Sequence, residues 1–311
     1  MTEVRILPYS HVVGQTDLRR CLELAFVAPG IGGVLVSGER GTAKSTTVRS
    51  FSLMAYGGLP VTLPINATED RVLGGWSIDA LMTGKTEWQA GLLEAADKQG
   101  LLYIDEVNLL DDHLVNIILD VTSTNVLVVH REGLDRPTVA VKFTLVGTMN
   151  PEEGWLRPQL LDRFGLLVPV SAETSVEQRH EILRTVLRFE EEIARPDSPW
   201  LAKGAARDRE IRTRLDRART RVGQVKMPDE ILGLCSRISA RFEVAGHRGE
   251  KVMALAARAR AALDGHEVVT PDDVRAVAEF ALAHRLPEAV YGESITWTAK
   301  ERDQLNRIIL E

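Results

Sequence analysis

The stretch Gly38-Glu39-Arg40-Gly41-Thr42-Ala43-Lys44-Ser45 follows a short β-branched run, Val34 to Ser37, and opens a segment with helical patterning from Lys44 to Tyr56. No other feature constrains this chain as much, because a glycine-rich turn in that setting demands a strand end before it and a helix start after it. The glycines let the backbone bend until several N–H groups converge on phosphate oxygens, and the helix N-terminus adds positive potential there. The expected nucleotide contacts are Gly38, Glu39, Arg40, Gly41, Thr42, Ala43, Lys44, Ser45 and Thr46. Lys44 would reach the β- and γ-phosphates, and the Ser45 hydroxyl would ligate Mg²⁺. Ala43 departs from the usual pattern, which has glycine there. Alanine keeps the N–H but restricts the backbone, so an altered nucleotide affinity is expected.

The rest of the first half alternates short apolar runs with helical segments, the pattern of a parallel sheet covered by helices. The expected strands are Val34 to Ser37, Val61 to Ile65, Leu101 to Asp105, Phe143 to Thr148 and Leu166 to Val170, with a second helix over Asp111 to Val121. Alternating residues from Val126 to His130, the turn-like Glu132-Gly133-Leu134-Asp135 and the run Val139 to Val141 predict a β-hairpin, about 125–141, inserted before the fourth strand. After Val170 the pattern turns helical: Ser175 to Glu192, a break at Pro196 to Pro199, then Asp229 to Phe242, Lys251 to Asp264 and Pro271 to Arg285. Thr270-Pro271-Asp272-Asp273 combines a capping hydroxyl, a proline and two acids, as a helix start requires. A length of 311 residues suits two domains. The expected class is α/β, divided as a nucleotide-binding domain over 1–192, a helical connector over 193–222 and an all-helical domain over 223–311.

Three further groups of residues bear on chemistry. The apolar run Leu101 to Ile104 ends in Asp105 and Glu106, so a buried strand would hold Asp105 beside the loop, where it would bind Mg²⁺ through water. Glu106 would then polarise the attacking water; taken alone, the two acids would also fit a helix cap. Asn150 ends another strand and would orient that water from the opposite side, although asparagine there also serves as a turn residue. Arg163, at the edge of the nucleotide domain, is the candidate finger for a neighbour's γ-phosphate, and Arg248 precedes a long helix from which it would lean over the phosphates.

The net charge of −6 argues against a general nucleic-acid binder. Arginines do crowd between Lys203 and Arg221, a run expected to form a solvated connector helix. The hairpin tip mixes Arg131 and Arg136 with Glu132 and Asp135, which argues against a DNA track. Met1 to Leu7 shows no secretory signal, and no apolar run approaches the ~18 residues that span a bilayer, so no membrane association is expected. The two cysteines, Cys21 and Cys235, lack partners at ligand spacing, which fits a reducing cytoplasm.

Longer strings carry a resemblance. His11-Val-Val-Gly-Gln15, Gly38-Glu-Arg-Gly-Thr42, Ala67-Thr-Glu-Asp-Arg71, Tyr103-Ile-Asp-Glu-Val-Asn-Leu-Leu-Asp-Asp-His113, Gly147-Thr-Met-Asn-Pro-Glu-Glu-Gly154 and Arg157-Pro-Gln-Leu-Leu-Asp-Arg-Phe-Gly165 closely resemble the AAA+ ATPase subunit of magnesium chelatase. The resemblance covers nearly the whole chain and implies a P-loop NTPase with a C-terminal helical lid. It implies a hexameric ring with ATP between protomers, a larger partner with its own AAA+ module and a von Willebrand A domain, and a porphyrin-binding subunit that inserts Mg²⁺ into protoporphyrin IX. By the matching motifs, Lys44 and Ser45 fall on the phosphate loop, Asp105 and Glu106 on the second nucleotide motif, Asn150 on the first sensor, Arg163 on the arginine finger and Arg248 on the second sensor. The hairpin, and the segment from Gly74 to Gln89, resemble insertions of this AAA+ branch. Cobalt-chelatase and MoxR-type ATPases share much of the same core and work with von Willebrand A proteins on other metals or on protein clients. Leu119-Asp120-Val121-Thr122 is similar to short ligands of von Willebrand A domains.

Overall fold

A computed structural model describes residues 6–84, 87–129, 138–195, 197–290, 295 and 297–311. The strands are β1 (Val34–Ser37), β2 (Val61–Leu63), β3 (Gly74–Trp76), β4 (Trp88–Ala90), β5 (Leu101–Ile104), β6 (Val126–Leu127), β7 (Val139–Ala140), β8 (Thr144–Met149) and β9 (Leu166–Pro169). Five of them form one sheet in the order β2-β5-β8-β1-β9, and every pairing in it is parallel. Side chains alternate between its faces with the strand period of two. Val34, Val36, Leu101, Tyr103, Val146, Leu166 and Val168 join a core that takes in the helices Thr16–Val27 and Lys44–Tyr56 and the C-terminal helices. Leu35, Leu102, Ile104, Leu145 and Leu167 join a second core with the helices Leu92–Gln99 and Asp112–Thr124. Each fully buried Val or Leu contributes about 1.5–3 kcal/mol, which is why strands of three to six residues suffice.

The observed elements depart from expectation at their ends. β2 stops at Leu63 because Pro64 has no N–H for the ladder, and the Pro64 carbonyl instead accepts from Ala67 N at 3.0 Å. The helix over Thr16–Val27, which the sequence pattern did not mark, buries Leu18, Cys21, Leu22 and Phe26. The helix expected from Lys251 begins at Arg248, a turn earlier, with His247 as its cap after Gly246 at φ 72°. The inserted hairpin is present as the antiparallel pair β6–β7; its tip, with Arg131, Glu132, Gly133, Leu134, Asp135 and Arg136, lies outside the described residues. A second antiparallel pair, β3–β4, falls in the Gly74 to Gln89 region, with Trp76 and Trp88 packed edge to face at 5.5 Å. Among the described residues no helix is long and apolar enough to cross a membrane.

The arginine run is a helix of 23 residues, Pro199–Arg221. It is solvated only in part, a correction with a clear cause: Leu215 and Ala218 are buried in the core, and three arginines bind neighbouring elements. Arg214 pairs with Glu23 at 2.8 Å, Arg219 lies over the Phe26 ring at 5.0 Å, and Arg221 donates to the carbonyls of Gly265 at 2.7 Å and His266 at 3.0 Å. The helix thus braces the helices Thr16–Val27 and Lys44–Tyr56 against the helical bundle of Asp229–Arg241, Arg248–Asp264, Pro271–Leu282 and Ala299–Leu310. Thr270 and Asp273 form the reciprocal cap at the start of the third of these.

Two adjacent residues clamp that bundle to the sheet. Arg285 is 2% exposed and makes five hydrogen bonds: Nε to Asp162 Oδ1 at 2.9 Å, and its terminal nitrogens to the carbonyls of Asp162, Phe164, Gly165 and Ala281. Burial pushes its guanidinium down to about 10, with the Asp162 carboxylate opposing, so it stays charged at neutral pH. The buried His284 ring donates through Nε2 to the Phe164 carbonyl at 3.2 Å, and burial followed by the Arg285 charge holds its pKa well below the ordinary range.

Arg285→Met should lower unfolding free energy by about 3–5 kcal/mol, because it leaves buried acceptors without a donor; urea titration of the variant measures this. His284 stays neutral in the native state while an unfolded histidine protonates below about pH 6.5. Stability should therefore be full above that pH and fall beneath it, by up to about 1.4 kcal/mol per pH unit from this group. His284→Gln should flatten that portion of the pH–stability curve.

Candidate nucleotide-binding site

The glycine-rich loop leaves the carboxyl end of β1, between β8 and β9, and its shape follows from that crowding. Gly38 N–H donates to the Met149 carbonyl at 3.0 Å, and Val170 N–H donates to Ser37 O at 2.7 Å. A Cβ on Gly38 would lie 1.9 Å from the Val170 carbonyl oxygen, so no side chain fits there. Thr42 Oγ1 donates to Glu39 O at 2.9 Å, and Gln15 Nε2 donates to Thr42 O at 2.8 Å. Ala43 is the last residue before the helix Lys44–Tyr56 and stands at φ 61°, ψ 19°, in the left-handed region. A glycine position of the usual pattern is therefore kept in conformation but filled by an L side chain, at a cost of about 1–2 kcal/mol. Ser45 and Thr46 follow Lys44 in the first turn of the helix, Thr46 exposed. Lys44 Nζ donates to the carbonyls of Gly38 and, at 2.5 Å, Glu39. Burial lowers the Lys44 pKa, while the charges of Asp105 and Glu106 pull it back up.

β5 brings its two acids to this loop. Asp105 Oδ1 accepts from Thr148 Oγ1 at 2.7 Å and from the Tyr103 hydroxyl at 2.8 Å, and that hydroxyl also lies 2.9 Å from Ser45 Oγ. Ser45 and Asp105, predicted separately from two motifs, are thus joined through one phenol. Glu106 adopts φ 57° and ψ 57°, a strained conformation for a residue with a side chain, and its N–H donates to Thr148 Oγ1 at 3.1 Å. Its carboxylate is held 3.1 Å from Arg40 of the loop, which also pairs with Glu153. Asn150 is buried at the end of β8, where Oδ1 accepts from Glu152 N at 3.3 Å, so the turn role foreseen for it is real.

The two distant arginines are not on the loop. Arg163 pairs with Asp120, the acid of the Leu119 to Thr122 string. Arg248, at the N-terminus of its helix, lies 3.3 Å from Asp162 Oδ2. Tyr103, Thr148 and Gln15 have no motif of their own as site residues; only the strand pattern, which points Tyr103 to the face shared with the loop helix, would have found the first. The donor set suits Mg²⁺, a hard ion that takes a hydroxyl, one or two carboxylates, water and phosphate oxygens.

Residues 33–164 match the family profile of the AAA domain, dynein-related subfamily, and residues 233–305 match the AAA lid domain. Over 96% of its length the chain is 39% identical to the magnesium-chelatase 38 kDa subunit of Acidiphilium rubrum, and it covers 96% of that protein. The chain belongs to the magnesium-chelatase 38 kDa subunit family of AAA+ ATPases. The solved complex between subunits BchI and BchD of magnesium chelatase contains a chain 37% identical to this AAA+ ATPase, with a TM-score of 0.50 over 96% of this chain and 99% of that one. An uncharacterized protein of Mycobacterium tuberculosis is 42% identical over 97% of this chain, and the chain spans about half (48%) of that relative's length.

For this AAA+ ATPase, Ala43→Gly should relieve the left-handed strain. The gain is offset in part by the freer unfolded chain, leaving a net stabilisation of about 0.5–1 kcal/mol. Chemical denaturation of the nucleotide-free protein should move to higher urea; an unchanged or lower midpoint would contradict the strain.

Proposed function

We propose that this protein is the motor subunit of a metal chelatase, hydrolysing ATP at the seams of a ring so that partner subunits insert Mg²⁺ into protoporphyrin IX. The observation that carries the reading is the convergence of Lys44, Ser45, Asp105 and Glu106 around one glycine-rich loop, in a chain 39% identical to a magnesium-chelatase subunit along nearly its whole length.

In this reading Gly38 to Thr46 hold the phosphates of ATP, with Lys44 exchanging its loop carbonyls for phosphate oxygens. Ser45 and Asp105 hold Mg²⁺, which supplies charge neutralisation at the phosphates. Glu106 accepts the proton of the attacking water, which requires that Arg40 release its carboxylate. Asn150 orients that water through the amide nitrogen, its oxygen being engaged with Glu152 N. Arg163 serves the neighbouring protomer's nucleotide and Arg248 its own, each leaving a carboxylate partner, Asp120 or Asp162. Pairs this exposed are worth about 0–1 kcal/mol, so a phosphate outcompetes them. We assign residues 1–192 to the nucleotide domain, 193–222 to the connector and 223–311 to the lid. The partners proposed are a hexameric ring of copies, a larger subunit with AAA+ and von Willebrand A domains, and a porphyrin-binding subunit.

Glu106→Gln should retain ATP binding while phosphate release falls by about 10²-fold or more, as removal of a catalytic acid–base group does. The purified chain, mixed with its partner subunits, protoporphyrin IX and Mg²⁺, should insert the metal only while ATP is hydrolysed. Insertion that persists in the Glu106→Gln complex would separate the motor from the chelation and defeat the proposal.

A further inference from the structure

Tyr103 is fully buried in β5, on the face of the sheet it shares with Leu101. A buried phenol costs free energy unless its hydroxyl finds partners. The partners of this one are all groups of the nucleotide site: Ser45 Oγ at 2.9 Å, Asp105 Oδ1 at 2.8 Å and Thr148 Oγ1 at 3.5 Å. A phenol, with an ordinary pKa of about 10, keeps its proton at neutral pH.

A phenol has one proton to give and lone pairs to receive with, whereas an ionised carboxylate only accepts. The Tyr103 proton therefore goes to Asp105 Oδ1, which also accepts from Thr148. The Ser45 hydroxyl must then give its own proton to the Tyr103 oxygen. The resulting chain, Ser45 Oγ–H to Tyr103 Oη–H to Asp105 Oδ1, spends the serine proton and one carboxylate oxygen on protein groups. The lone pairs of Ser45 Oγ and the second oxygen of Asp105 are left for a cation.

We propose that Tyr103 is a positioning residue for Mg²⁺, its single hydroxyl fixing both the spacing and the proton direction of Ser45 and Asp105. The inference rests on the assignment of those two residues to the metal. It assigns to Tyr103 the advantage that Mg²⁺ gives to nucleotide binding, and leaves metal-free binding to the loop backbone and Lys44.

The test is Tyr103→Phe, with a fluorescent ATP analogue titrated against the full-length protein in Mg²⁺ and, separately, in EDTA. Affinity in EDTA should stay within about twofold of wild type, while the tightening produced by Mg²⁺ should shrink by about tenfold, the loss expected for one hydrogen bond to a charged group. A folded variant with the wild-type Mg²⁺ gain would overturn the role of Tyr103 while leaving the nucleotide site standing. Failure of the wild type to bind the analogue in either condition would remove the site itself, and this inference with it. Should the variant not fold, the wild-type protein labelled at tyrosine ¹³Cζ gives the answer: of the four tyrosine signals, one should shift when Mg²⁺ is added to the nucleotide-saturated protein. Four unmoved signals would overturn the proposal.

Discussion

At the carboxyl end of β1 the backbone of the loop presses against its neighbours so closely that the Val170 carbonyl leaves no room for a side chain on Gly38. β8 and β9 flank β1 on either side, and each is hydrogen-bonded to the chain as it leaves the strand. That crowding forces the loop upward and around, and delivers Lys44 and Ser45 at the start of the next helix. The same sheet carries β5 on the far side of β8, so its terminal acids arrive within hydrogen-bond reach of the loop through Tyr103 and Thr148. Core packing and site geometry are therefore one problem: the residues that bury the sheet also set the distances between the groups at its edge.

Much of this was legible in the residues. The strand–loop–helix pattern around Gly38 to Ser45 marked the loop, and the apolar run before Asp105 marked the strand end that meets it, because both signals are local and their physical cause lies within a few residues. Signals with distant causes were not legible. Tyr103 reads as one more apolar residue in a strand until the sheet places it against Ser45. The arginines of the Pro199–Arg221 helix read as a solvated face, since nothing local reveals that Glu23, Phe26 and the carbonyls of Gly265 and His266 will meet them. Ala43 was legible as a departure, but its consequence, a left-handed alanine, follows only from the turn that the helix start imposes.

Each cation that the proposed chemistry aims at a phosphate is held by an acceptor within the chain: Lys44 by loop carbonyls, Arg40 by Glu106 and Glu153, Arg163 by Asp120, Arg248 by Asp162. These contacts keep the charges from repelling one another and lie at or near the surface, where exchange for another anion is inexpensive. The structure so described is a set of cations already charged, oriented and weakly restrained.

The clamp of His284 and Arg285 bears on how such a molecule could move. Its acceptors run from Asp162 to Gly165, the turn on which Arg163 sits, so the helical bundle grips the same few peptides that present that arginine. A rocking of the bundle would be transmitted as a crank is, directly into the turn that carries Arg163, without slack to be taken up first.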